Sequence, residues 1–177
     1  ELARRYLEKR QVPAELVERY GVGFAPDGWR NLLSALAGKF STGDLLEVGL
    51  AGRPEGGGEP YDRFRNRLIF PIRNASGRLV GFGGRALGDD PAKYLNTAET
   101  GRFHKGSLLY GLDQAKRTMR ERRRAFLVEG YVDAVMMHQA GFEHTVATLG
   151  TALTDTHAKS LTTIADRVLM CFDSDEA

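Results

Sequence analysis

The stretch Arg124-Ala-Phe-Leu-Val-Glu-Gly-Tyr-Val-Asp133 decides the fold of this chain, together with Val168-Leu-Met-Cys-Phe-Asp-Ser-Asp175. Each stretch is a short apolar run that ends in acidic residues. Residues 126–128 and 168–172 carry too few polar side chains for half-exposed strands, so we expect two strands buried on both faces. A helix over residues 131–139 is predicted to cross over between them, as in an open α/β sheet.

Acidic residues follow both predicted strands. Glu129 comes directly after the first strand, and Asp173 and Asp175 come after the second. Ligands bind at the carboxyl ends of parallel strands in such sheets, and a hard cation prefers oxygen ligands. The pattern therefore favours a magnesium site. Two plainer interpretations stay open: Asp173-Ser-Asp175 as a turn, and Asp133 as an acid that only complements a helix dipole.

Length and composition are those of an ordinary globular protein. The chain has 177 residues, of which 42% are hydrophobic and 27% charged, with a net charge of +2, and it fits one domain or two small ones. No apolar stretch approaches the ~20 residues that span a bilayer. Cys171, the only cysteine, excludes an internal disulfide and a cysteine zinc site. Its apolar neighbours predict a buried, inert thiol. The chain opens without methionine and stops just after Asp173-Ser-Asp175, so we expect a fragment of a larger protein.

Helices and one hairpin are predicted upstream of the deciding stretch. Apolar spacing, with Pro13 opening the second helix, indicates helices over residues 2–9, 14–20, 29–37 and 113–122. Ser41-Thr-Gly-Asp44 is typical of a helix cap. The strands on either side of Asn74-Ala-Ser-Gly77 are predicted to form a hairpin.

The hairpin region is strongly basic. Six arginines and no acid lie between Arg63 and Arg85. Such a run is either a solvated face or a phosphate-binding surface, since arginine presents a bidentate fork to phosphate oxygens. Gly81-x-Gly83-x-x-Ala86 mimics a dinucleotide-binding motif but opens no helix. We therefore expect these glycines to allow close approach of the backbone or a bulge.

A glutamate after one strand and an Asp-x-Asp after a later one resemble the signature of the Toprim domain, which occurs in primases, topoisomerases and some nucleases. Ordered motifs upstream make the resemblance more specific: Arg63-Phe-Arg-Asn-Arg-Leu-Ile-Phe-Pro-Ile72, Gly81-Phe-Gly-Gly-Arg85, Lys93-Tyr-Leu-Asn96, Phe103-His-Lys-Gly106 and Leu109-Tyr-Gly-Leu112. Together they resemble the RNA-polymerase domain of bacterial DnaG-type DNA primases, most clearly over residues 62–177. The resemblance implies an α/β fold, with a basic α+β N-terminal subdomain over residues 1–122 and the first part of a Rossmann-like Toprim sheet over residues 123–177.

The resemblance also implies which residues form the site. The acids that match the metal-associated positions of the family are Glu129, Asp173 and Asp175, with Asp133 as a further candidate. Glu129 would act either as a metal ligand or as a base. The positions that match residues handling template and nucleotide are Arg63, Arg65, Arg85, Lys93, Asn96 and Lys105. We expect Mg²⁺ or Mn²⁺ as the cofactor and no zinc in this fragment.

The implied activity is synthesis of RNA primers at the bacterial replication fork, in the cytoplasm and away from any membrane. Expected partners are a single-stranded DNA template, ribonucleoside triphosphates, the RNA–DNA hybrid product and the replicative helicase. The family's helicase-binding module, zinc module and later acidic cluster are absent from this sequence, which puts independent activity in doubt. Two rival interpretations stay open: another Toprim enzyme, a topoisomerase or nuclease, and a non-catalytic nucleic-acid-binding module.

Overall fold

The computed structural model describes residues 1–172, which fall into two compact units. The first unit comprises Glu1–Pro71 and Gly81–Phe103, and the second comprises Ile72–Val80 and the chain from His104 onward. Helices accompany an antiparallel sheet and a parallel sheet, so the predicted α/β class is confirmed. The domain boundary that we predict between residues 122 and 123 stays a prediction. Within residues 1–172, no helix has both the length and the apolar character that crossing a membrane requires.

Four short helices belong to the first unit: α1 Leu2–Lys9, α2 Ala14–Tyr20, α3 Asn31–Ala35 and α4 Thr42–Glu47. Helix α2 starts after Pro13 and ends at Gly21, whose φ of 63° suits glycine. Helix α4 has the predicted cap, because Ser41 Oγ accepts from Asp44 N and the Asp44 carboxylate accepts from Ser41 N. These bonds lower the pKa of Asp44. Helix α3 is shorter than predicted.

The antiparallel main sheet lies mostly in the first unit, while the ends of β4 and β5 at their connecting turn belong to the second. Its strands lie in the order β1 Gly23–Ala25, β4 Arg67–Arg73, β5 Leu79–Ala86 and β6 Tyr94–Asn96, while β2 Ala51–Gly52 pairs with β3 Tyr61–Asp62. Strands β4 and β5 confirm the predicted hairpin. An added Cβ at Gly81 would meet the Phe103 ring at 2.5 Å, and one at Gly84 would meet the Phe64 ring at 2.8 Å. Gly81 of this motif therefore allows close approach, as predicted, and so does the neighbouring Gly84. No helix follows β5 before β6, although dinucleotide binding requires one.

The second unit is built on a parallel sheet. Its elements are α5 Leu112–Arg122, β7 Arg124–Val128, α6 Tyr131–Gln139, β8 Thr145–Ala147, α7 Asp155–Thr162 and β9 Arg167–Met170. The strand order is β8-β7-β9, and β7 runs parallel to both neighbours. Ala125 and Leu127 of β7 are fully buried in a core that includes Met119 and Leu161. The predicted strand, helix and second strand are confirmed, but α6 leads from β7 to β8 and α7 leads from β8 to β9, so the helix does not connect the two predicted strands directly.

Two expectations about the second strand are wrong. Residues Leu169, Met170 and Phe172 are 42%, 60% and 42% exposed, and Cys171 is an exposed thiol, so this strand is not buried on both faces. The physical reason is the place of β9 in the sheet. Within residues 1–172 it pairs only with β7 and forms the edge.

Candidate functional site

Glu129 lies at the carboxyl edge of the parallel sheet in the second unit. Strands β7, β8 and β9 run in the same direction, so their carboxyl ends meet at one edge. Glu129 follows β7 directly and is exposed. Its backbone carbonyl accepts a hydrogen bond from Thr148 Oγ1 at 3.3 Å, and Thr148 follows β8. The position of Glu129 is therefore set by two neighbouring strands.

The other two predicted metal ligands, Asp173 and Asp175, lie outside the described residues. The chain that leads to them continues the pairing of β9, because Cys171 N donates to Leu127 O at 2.8 Å. Within residues 1–172, no group of three or more His, Cys, Asp or Glu side chains could hold a metal ion. As an exposed carboxylate, Glu129 fits a hard cation as one ligand. The complete ligand set stays a prediction.

Asp133 has a local role at the start of α6. Its Oδ2 accepts a hydrogen bond from Gly130 N at 3.2 Å. An acid in this first turn satisfies a free N–H group and complements the helix dipole. This bond accounts for an acid at residue 133 without a metal, and the metal-binding role of Asp133 stays a prediction.

Arg63 and Asn96 come together in the first unit. Arg63 Nε donates to the backbone carbonyl of Asn96 at 3.0 Å. Asn96 lies on β6 and is only 8% exposed. Burial lowers the pKa of the Arg63 guanidinium, and the effect of nearby Tyr61 opposes this shift. The contact ties the first basic motif of the sequence to the later Lys93-Tyr-Leu-Asn96 motif.

Arg65 lies in an aromatic cluster that the sequence analysis missed. Its Cζ is 4.1 Å from the centroid of the Trp29 ring and 5.3 Å from that of Tyr61. The two rings meet edge to face, with centroids 5.6 Å apart. These residues line an open cleft of about 490 Å³, and Trp29 is 63% exposed. A single tryptophan directly after the Pro26-Asp-Gly28 turn is the signal that could have identified it.

Arg85 is held between two tyrosine rings in the first unit. Its Nη1 donates to Tyr94 Oη at 2.7 Å. Its Cζ lies 4.8 Å from the Tyr6 ring and 5.2 Å from the Tyr94 ring. Arg85 is 9% exposed, and its Nε has no hydrogen-bond partner within residues 1–172. Lys93, next to Tyr94, is exposed. Tyr6 had no signal in the sequence, because it stands in an ordinary amphipathic helix.

Arg67 shows that part of the basic run is structural. The side chain is 3% exposed and pairs with Asp90 at 2.6 Å. It also donates to Ala92 O at 2.8 Å. A buried guanidinium whose hydrogen bonds are made within the protein is not available to a phosphate. The basic run is therefore neither wholly a solvated face nor wholly a binding surface.

Lys105 begins a turn of 3₁₀ helix, Lys105–Ser107, in the second unit. Its backbone carbonyl accepts from His157 Nε2 at 3.0 Å, and the carbonyl of Gly106 accepts from Thr154 Oγ1 at 2.6 Å. His157 is fully buried. The backbone at Lys105 is therefore fixed by the start of α7, while the lysine itself is half-buried.

Comparisons with known proteins bear on these sites. The family model of the DNA primase catalytic core, N-terminal domain, matches residues 1–116, and a Toprim-like model matches residues 126–177. A DNA primase from Pseudomonas aeruginosa is 46% identical over 173 residues, which cover 97% of this chain and 26% of that protein. The chain thus spans about a quarter of the length of this relative.

Solved structures agree with the sequence comparison. The crystal structure of a DNA primase domain from Pseudomonas aeruginosa matches with a TM-score of 0.93 and 44% identity, over 99% of this chain and 55% of that one. The structure of a DnaG primase catalytic domain bound to single-stranded DNA matches with a TM-score of 0.88 and 43% identity, over 99% and 55% of the two chains. Because the primase model matches 116 of the 177 residues, the chain belongs to the family of the DNA primase catalytic core.

Proposed function

We propose that this protein synthesises RNA primers on single-stranded DNA by nucleotidyl transfer from ribonucleoside triphosphates. The observation that carries the proposal is the exposed Glu129 at the carboxyl edge of the parallel sheet, in a chain of the primase family. A related catalytic domain binds single-stranded DNA, which supports the choice of template. In the reaction, the 3′-hydroxyl of one ribonucleotide attacks the α-phosphate of the next, and pyrophosphate leaves.

The acids are proposed to act at the reacting phosphate. Glu129, Asp173 and Asp175 would hold Mg²⁺ or Mn²⁺, with Asp133 as a further candidate. A cation bound there would lower the pKa of the attacking hydroxyl and neutralise charge on the phosphate. Alternatively, the exposed Glu129 carboxylate accepts the proton of the 3′-hydroxyl as a general base. In either role, the hydrogen bond from Thr148 Oγ1 to the Glu129 carbonyl fixes the backbone that carries this carboxylate.

Basic residues are proposed to bind the nucleotide. Arg85 and Lys93 would contact its phosphates, and Lys105 is assigned the same role. The rings of Tyr6 and Tyr94 restrict the Arg85 guanidinium, so that less entropy is lost when it binds a phosphate. Asn96 supports this region, because its backbone carbonyl accepts the Arg63 Nε hydrogen bond.

Template binding is assigned to the cleft of Trp29, Tyr61 and Arg65, with Arg63 beside it. An exposed aromatic ring stacks on a base, and a nearby guanidinium contacts the sugar-phosphate backbone. Trp29 offers such a ring, and Arg65 lies against it. Since the chain has one tryptophan, its fluorescence reports on this cleft alone. Single-stranded DNA should quench that fluorescence, and Arg65→Gln should weaken the quenching.

The cellular setting follows from the proposed activity. Primers are needed where single-stranded template appears, so we place the protein in the bacterial cytoplasm at the replication fork. There it would work beside the replicative helicase and leave an RNA–DNA hybrid as its product.

The test of the proposed function is template-directed incorporation of ribonucleotides on single-stranded DNA with Mg²⁺, by the protein in its natural length. Glu129→Gln should lower primer synthesis by at least about a hundredfold, whether the carboxylate is ligand or base. The matched control is Glu55→Gln, an exposed acid in a glycine-rich loop, which should keep full activity.

The other outcomes are equally informative. Equal synthesis by the wild type and Glu129→Gln would remove Glu129 from the mechanism. Cleavage of DNA without RNA synthesis by any variant would favour a Toprim nuclease instead. Single-strand binding that needs neither the cation nor Glu129, again without synthesis, would favour a non-catalytic binding module.

A further inference from the structure

The amino edge of the parallel sheet, in the second unit, carries a second basic surface. Arg124 begins β7 and Arg167 begins β9, and the two are register partners in adjacent strands, which lie about 4.8 Å apart. Partners in adjacent strands point to the same face. Both arginines are exposed, as is Arg122 at the end of α5. Within residues 1–172, none of the three forms an ion pair, while the nearby Asp166 is already bound by Arg123.

Aromatic rings lie on the same face as Arg124 and Arg167. Phe126 is two residues beyond Arg124 on β7 and therefore shares its face. Its ring centroid is 5.4 Å from that of Phe142 and 5.0 Å from that of His144. Phe142 is 41% exposed. The opposite face of β7 packs into the core, where Ala125 and Leu127 are buried.

His144 links the two parts of this surface. It is 7% exposed and packs against Phe126 and Phe142. Burial lowers its pKa, and the positive charges of Arg122 and Arg124 lower it further. The arrangement brings exposed positive charge and an exposed aromatic ring together.

We propose that the amino-edge patch, formed by Arg122, Arg124, Arg167 and Phe142, binds single-stranded nucleic acid. The guanidinium groups contact consecutive phosphates, and the exposed face of Phe142 stacks on an unpaired base. The exposed flat ring favours a nucleic-acid strand over an acidic protein segment, which offers charge but no base. The patch is separate from the proposed reaction centre, because Arg124 and Glu129 lie at opposite ends of β7, about 16 Å apart at the rise of a strand.

The test measures binding of an oligothymidine of about 12 nucleotides by fluorescence anisotropy at several salt concentrations. The chain carries Trp29→Leu and Arg65→Gln throughout, so that the proposed template cleft does not dominate. In this background, Arg122, Arg124 and Arg167 are changed together to Gln. Three lost phosphate contacts should reduce the slope of log K against log salt by about 2. The charge-matched control changes Arg4, Lys39 and Arg53, all exposed, and should leave affinity and slope unchanged.

Two further variants separate the parts of the proposal. Phe142→Leu keeps an apolar contact with Phe126 but removes the flat ring, so affinity should fall about tenfold with little change in slope. Changing the three arginines to Lys keeps the charge, so the slope should be retained. Binding by this variant would also show that the three positions tolerate replacement without loss of folding.

Three results would overturn the proposal. The first is a Gln variant that binds like the charge-matched control. The second is equal affinity for duplex and single-stranded DNA, together with an affinity that Phe142→Leu leaves unchanged. The third is a poly-glutamate peptide that binds the chain as tightly as the oligonucleotide does and whose binding is lost in the same variants. That result would make the surface a site for acidic protein segments.

Discussion

Asp62 should prove critical for the stability of the first unit. Its side chain is 2% exposed, and its carboxylate accepts from Leu32 N at 2.6 Å and from Leu33 N at 3.0 Å. These are the second and third residues of α3, whose N–H groups have no partner inside the helix. Asp62 therefore caps α3 although it lies 30 residues after Leu32 in the sequence. The perturbation is Asp62→Ala, which leaves both N–H groups without an acceptor.

The expected loss follows from these two bonds. A hydrogen bond to a charged group contributes about 1.5–3 kcal/mol, and an acid at this position also complements the helix dipole. Because Leu32 is only half-buried, water hydrates its N–H group in the variant and offsets part of the lost hydrogen bond. We expect Asp62→Ala to lower the free energy of unfolding by about 3–5 kcal/mol. Asp62→Asn keeps one acceptor and should lose about half as much.

The assay is urea unfolding followed by the fluorescence of Trp29. This tryptophan reports directly on the region, because its backbone carbonyl accepts from Asp62 N at 2.7 Å. Asp89→Ala, which removes an exposed acid, serves as the control and should stay within about 0.5 kcal/mol of the wild type. A loss below about 1 kcal/mol for Asp62→Ala would refute the capping argument.

Three more substitutions should change the stability of the folded chain. Arg67→Met removes the buried partner of Asp90 and should lower the free energy of unfolding by about 2–4 kcal/mol in urea titrations. Gly81→Ala places a Cβ 2.5 Å from the Phe103 ring and should lower the free energy of unfolding by about 1–3 kcal/mol. Alanine in place of an exposed glycine should leave that free energy unchanged. The pKa of His144 is lowered in the folded chain, so the unfolded chain binds this proton more readily. Its contribution to stability is complete above about pH 6.5 and is lost as the pH falls through the folded-state pKa. The unfolding midpoint of His144→Gln should therefore fall less than that of the wild type on acidification.

Local chemistry made much of the fold predictable from the sequence. The apolar run before Glu129 and the helix after Gly130 were recognised because strand and helix periodicities are properties of neighbouring residues. The cap at Ser41 and Asp44 was recognised for the same reason, since both partners lie within one turn. The ordered motifs from Arg63 to Leu112 then identified the family, which the comparisons confirm.

The sites depended on contacts that sequence patterns do not encode. Arg67 and Arg65 look alike in the basic run, yet one is buried against Asp90 and the other lies over the Trp29 ring. Within residues 1–172, Cys171 is exposed directly after β9, which pairs there with β7 alone.

By itself, the sequence determined the α/β class, most of the helices and strands, the family, and the place of Glu129 directly after a strand. The tertiary structure alone decided which arginines are free to bind, how α3 is capped by Asp62, and that arginines and aromatic rings share the amino edge of the sheet. The physical reason is distance along the chain. Propensity, periodicity and capping act within a few residues, whereas burial, pairing and ring contacts depend on which distant segments fold against each other.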